Sequence, residues 1–272
     1  MQMFWSNIFQ SKLAAVTVGI FALFVIWWLE IFYTGAVDQT QNHWFGFSYG
    51  SLSIWGGVIG LAVSRKWGGW GSLIGRAIIC LSLGLLLQGW GQYSFWYMNS
   101  VMGIEIPYPS IPDIGYFGTI PFYIYASYLL AKAAGAKSSI SSLHNGIQLL
   151  IIPVLMLGLA YFSFLRDLPF DFVDPLASLM DYAYPTGQAL YISGALLTYS
   201  LSRKMLGGVM RFPILFLIVA FMVQFAADYI YIYFHAYYYP GSFVDFFYLL
   251  SYFIMSLGLI QLKVTADNLQ KI

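Results

Sequence analysis

"YPSIPDIGYFGTIPFYIYASYLLAK", residues 108–132, places Ser110 and Asp113 between prolines at the mouth of a long apolar run. The run that follows is long enough to cross a bilayer, which takes about 20 residues as helix. Its entry returns twice. Residues 110–116, 178–184 and 242–248 each read S-x-x-D-x-x-Y, with Pro109, Pro175 and Pro240 just upstream. Copies 64 to 68 residues apart mark an internal repeat. A weaker repeat links Gln88-x-x-x-Gln92-Tyr93 to Gln224-x-x-x-Asp228-Tyr229, with Glu30 at the matching depth of an earlier run. The chain therefore reads as four helical hairpins, three of them visibly related.

Composition names the solvent. Hydrophobic residues make up 60% of the 272 positions, charged residues 8%, and mean hydropathy is +0.73. Soluble domains carry about 25% charged residues, so this chain cannot clothe a water-facing surface and belongs in lipid. A net charge of +1, sorted by location rather than pooled, gives nucleic acid no basic patch to bind. The single Cys80 lies in mid-run and reads as a packing residue. The first run follows Lys12, lacks a small-x-small cleavage site and continues to Glu30, so it reads as a retained span rather than a signal peptide.

Eight spans are expected, near 13–33, 44–64, 73–97, 112–134, 147–165, 179–202, 212–235 and 243–262, forming one polytopic, all-α membrane domain over residues 1–272. Eleven of the twelve Lys and Arg residues fall at one set of span ends, and only Arg166 at the other. The positive-inside rule then predicts both termini in the cytoplasm and an inner or plasma membrane location. The acids sort oppositely: all but Asp267 fall at the outer ends or in outer loops. Two readings of that are open, avoidance of the basic side or an acidic outer cavity.

S-x-x-D has the form of a capping box, in which serine serves the N3 amide and the N3 acid serves the serine's own amide. Ser110 with Asp113, Ser178 with Asp181, and Ser242 with Asp245 are therefore expected to cap three helices. An acid there also complements the helix dipole. The cap does not account for the tyrosines. Tyr116, Tyr184 and Tyr248 share a helix face with their aspartates. They form either an interfacial belt or the lining of a shared vestibule, below which Pro121 and Pro185 interrupt two of the helices.

Asp228, Gln224, Gln88 and Gln92 are polar residues inside apolar spans, which makes them ligand-binding candidates, Asp228 first among them. The tyrosine-rich tract around Asp228 suits a flat or cationic ligand, or a packed core. His43 and His235 fall outside and His144 inside, so no three-histidine metal site is expected, and no cofactor. No lysine lies in mid-span to hold retinal, and no nucleotide loop or nucleophile motif occurs.

Residues 109–116, Pro-Ser-Ile-Pro-Asp-Ile-Gly-Tyr, resemble the P-S-x-x-D-x-x-Y hairpin entry of multi-span sensory regions in bacterial signalling proteins. The resemblance implies a membrane-embedded sensory module, but the sequence ends ten residues after the last span with no output domain. Signalling would then need a separate partner. The leading expectation is a receptor-like or ligand-binding module with an outward acidic and aromatic cavity. The alternatives are a small-solute or ion transporter, a structural subunit of a membrane complex, and an intramembrane enzyme acting on lipid or isoprenoid.

Overall fold

In lipid the backbone finds no water, so each apolar run must satisfy its own amides as helix. The computed structural model describes residues 11–37, 39–134, 143–201, 209–234 and 237–270, and every regular element in them is helical. Helix α1 spans Lys12–Thr34 and stops at Gly35, whose left-handed φ of 62° lets its amide turn back onto the last carbonyls. Helices α2 (Thr40–Ser48) and α3 (Ser51–Lys66) make one 27-residue run, interrupted at Tyr49 and Gly50. Helix α4 (Leu73–Trp96) ends in a π-turn over Tyr97–Val101. Then come α5 (Ile111–Ala133), α6 (Leu143–Ala160, with a π-turn to Leu165), α7 (Pro175–Leu201), α8 (Arg211–Phe234) and α9 (Phe243–Leu269).

Six of these runs are long and apolar enough to cross a membrane: α1, α2 with α3, α4, the stretch Ile147–Leu165, α8 and α9. Helices α5 and α7, of 23 and 27 residues, are as long but less apolar. They carry much of the polar wall described below.

The helix contacts close a ring, α3–α4–α5–α7–α8–α9 and back to α3, with α1 outside against α9 and α6 outside against α7. The turn between α4 and α5 lies at the same end as those between α6 and α7 and between α8 and α9, as the Tyr49–Gln92, Tyr49–Asp245 and Tyr233–Ser163 contacts require. At the opposite end Asp267 pairs with Lys66 and, at 2.9 Å, with Lys263. The ring's core is ordinary packing of Ile78, Leu81, Leu85, Leu249 and Leu259, all nearly inaccessible. Helices α4 and α5 lie backbone to backbone at Gly91 and Gly115. A Cβ on Gly115 would stand 2.6 Å from the Gly91 nitrogen and the Leu87 carbonyl oxygen of α4.

The three S-x-x-D boxes fare differently. At α5 the box closes: Asp113 accepts from the Ser110 amide at 2.8 Å and from its hydroxyl at 2.9 Å. The second expectation is corrected. Helix α7 begins at Pro175, so Ser178 and Asp181 lie inside it, and Asp174 takes the cap by accepting from the Ala177 amide at 3.0 Å. Proline suits that first position because its missing amide would have no helical partner. The third is corrected in part. Ser242 is the N-cap of α9, but its hydroxyl is buried without a partner, and Asp245 reaches past it to the Gly241 amide at 2.7 Å.

Candidate functional site

Inside the ring, at the end where α5, α7 and α9 begin, lies a cavity of about 590 Å³. Five of the six ring helices, all but α3, send in side chains. Helix α7 contributes Asp181, Tyr184, Gln188 and Tyr191, at successive three- and four-residue steps along one face. Helix α8 contributes Gln224, Asp228 and Tyr231 by the same rule, and α9 contributes Asp245 and Tyr248. Gln88 comes from α4, Asp113, Tyr116 and Thr119 from α5, and Tyr49 from the break before α3.

The structure thus brings Tyr116, Tyr184 and Tyr248 into one vestibule, which answers the choice between belt and lining. Their aspartates come with them, but the pairing crosses between repeats. Tyr184 donates to Asp113 at 3.0 Å, Tyr248 donates to Asp228, and Tyr116 donates to Gln92 at 3.2 Å.

Asp228 is held at the centre. It accepts from Tyr248 of α9, Gln188 of α7 and Gln224 of its own helix. Three donors from three elements meet this carboxylate at depth and offset only part of the cost of burying it. Asp245, 1% exposed, accepts from the Gly241 amide and from Tyr238 at 3.2 Å. The Tyr49 hydroxyl lies between Asp245 and Gln92, 3.1 Å from one and 2.7 Å from the other. Burial first, and then the Asp245 carboxylate, push the Tyr238 phenol far above its ordinary value, so it stays a donor.

Gln92 is not part of the lining. It stands behind the wall, its amide anchored to the Gly46 carbonyl at 3.1 Å, and its oxygen holds the Tyr49 and Tyr116 hydroxyls in place. Gln88 does line the cavity, accepting from Tyr252 at 3.3 Å. The residues that sequence reading did not single out include Gln188, Tyr49 and Tyr108, whereas Tyr238 lies in the tyrosine-rich tract around Asp228. Gln188 carried the same signal as Gln88 and Gln224, an amide in an apolar span. Tyr49 and Tyr108 carried none, because only the packing distinguishes them from the chain's other tyrosines.

Below the polar layer the ring is filled by aromatic side chains. Tyr123, Tyr191 and Phe221 follow Thr119, Gln188 and Gln224 by about one turn on their helices, toward the opposite end. Their rings are mutually in contact, with centroids 4.6 to 5.5 Å apart. They form a floor.

Among the described residues no group of three or more His, Cys, Asp or Glu could hold a metal ion. His43 is hydrogen-bonded to Ser100 at 2.8 Å, His235 lies outside the described residues, and so does the side chain of His144. Four carboxylates, from Asp113, Asp181, Asp228 and Asp245, line the cavity, and among the described residues no Lys, Arg or His does. Enclosed volume, aromatic walls and a few convergent polar groups are the marks of a small-molecule site. The chain matches no family model, and no curated protein and no solved structure shows significant similarity to it.

Proposed function

We propose that this chain is a receptor-like, ligand-binding membrane module whose acidic and aromatic cavity opens to the outside. In this reading all eight long helical runs cross the bilayer, both termini are cytoplasmic, and the bound state is passed on through a separate protein. One observation carries it: a polar cavity at one end of the ring, closed beneath by the Tyr123–Tyr191–Phe221 floor. A pocket floored at one end suits binding better than passage. The likeness of residues 109–116 to sensory hairpins adds to it.

A transporter is the second reading, favoured by Pro121 and Pro185 inside the helices that flank the cavity. Helix-breaking residues beside a cavity are common where helices rearrange. The floor weighs against it.

The test is thermal unfolding of the purified chain in detergent against a panel of small molecules, lipids and cations, because a ligand of the folded state raises the melting point by mass action. Asp228→Asn runs alongside, and is expected to weaken any ligand-induced shift far more than Asp113→Asn. Equal ligand responses in the two variants would remove Asp228 from the site. No shift from any compound would remove the binding reading itself.

A further inference from the structure

We infer that the cavity takes an extended organic cation with two or more protonated amines, a diamine or polyamine, one end on Asp181 beneath Tyr108 and the other toward Asp228. This rests on the binding reading above and names its ligand class. The charge balance comes first. Four carboxylates line the space, and no described basic side chain answers them. A buried carboxylate is costly to keep ionised without a counter-charge, and a cation filling the space would relieve that cost.

The carboxylates also do not converge. Although four share one cavity, no three of them could hold a metal ion. Positive charge spread along a chain fits such a wall better than a point charge.

Donor counts then separate the four. Asp113 accepts from the Ser110 amide, the Ser110 hydroxyl and Tyr184. Asp228 and Asp245 likewise face three donors each. Asp181 faces one among the described residues, the Tyr108 hydroxyl of the loop between α4 and α5. An ionised carboxylate offers about four acceptor sites, so Asp181 keeps the most capacity for a ligand ammonium. Its freedom follows from the early start of α7, which gives the capping task to Asp174.

Spacing supplies the second charge. Asp181 and Gln188 are seven residues apart on one helix, about 10 Å along its axis, and Gln188 holds Asp228. Between the two levels stand tyrosine rings, including Tyr184 and Tyr231, and aromatic rings attract cations to their faces.

The experiment uses the full chain in a neutral detergent at physiological salt. Melting is followed with a linear diamine, spermidine, a monoamine of matched length, the matched neutral diol and the matched dicarboxylate. The diamine and spermidine are expected to raise the melting point, and the monoamine to bind about tenfold or more weakly, the scale of one charge-assisted hydrogen bond. Asp181→Asn is expected to erase the difference between diamine and monoamine, Asp181→Glu to keep it, and Asp267→Asn, at the far end, to change nothing. A monoamine equal to the diamine overturns the two-charge assignment. A diol or dicarboxylate equal to the diamine overturns the cation assignment and leaves a binding module standing. An unchanged amine response in Asp181→Asn, with its unliganded melting point intact, overturns the role of that residue. Failure of these compounds beside a hit elsewhere in the wider panel overturns the ligand class alone, and failure of everything overturns both readings.

Discussion

The Tyr184 hydroxyl of α7 donates to Asp113 at the head of α5, across 3.0 Å. The aspartate of one repeat copy is thus tied to the tyrosine of the next, and the capping carboxylate of α5 doubles as an interhelical clasp. Interhelical hydrogen bonds in membranes are worth about 0.6 to 2 kcal/mol, and loss of an N-terminal cap about 1 kcal/mol. Asp113→Ala is expected to cost both contributions and Tyr184→Phe only the first. A double-mutant cycle by equilibrium unfolding in detergent should therefore show a coupling near 1 kcal/mol. Strict additivity would dissolve the clasp.

Gly115 and Gly118 are one turn apart on α5 and should respond oppositely to alanine. At Gly115 the new methyl meets the α4 backbone at 2.6 Å, where nothing flexible can give way. Overpacking of that kind costs about 1 to 3 kcal/mol, and it would push Tyr116 away from Gln92. At Gly118 the nearest atom is a Leu87 methyl at 3.5 Å, an ordinary contact. Gly118→Ala is expected to be neutral or to stabilise by about 0.5 to 1 kcal/mol through helix propensity. Melting points of the two variants, measured side by side, check the contrast.

The orientation proposed for the helices is open to labelling. Cys80, the chain's single cysteine, is 3% exposed, so the native background should stay silent to a membrane-impermeant thiol reagent. Glu105→Cys, in the exposed loop between α4 and α5, is expected to label in intact cells. Asn268→Cys, exposed near the end of α9, should label only after permeabilisation. The reverse pattern would turn the molecule over and place the cavity on the cytoplasmic side.

The aromatic floor makes a prediction of its own. Phe221 is 1% exposed and packs against both Tyr123 and Tyr191. Phe221→Ala should cost about 3 to 5 kcal/mol, and Phe221→Leu noticeably less. In proteoliposomes, the wild type is expected to retain entrapped amines while the leucine variant leaks them. Amine flux through the wild type would favour the transporter reading instead.

What the sequence determined by itself was the apolar solvent and the helices. Lipid leaves a backbone few choices, so apolar run length was enough to locate eight long helical runs. The candidate residues Asp228, Gln88 and Gln224 were legible for the same reason, since a polar side chain in hydrocarbon must have a partner. The fates of the three capping motifs were not legible. Ser110–Asp113 caps, Ser178–Asp181 is displaced by Asp174, and Asp245 bypasses Ser242 for the Gly241 amide. One pattern gave three outcomes because a cap depends on where the chain enters its helix, which neighbouring turns decide. Nor could the sequence say that Tyr116, Tyr184 and Tyr248 meet, or that Gln92 stands behind them as a support. Those relations join residues on different helices, and only the closure of the α3–α4–α5–α7–α8–α9 ring sets their distances.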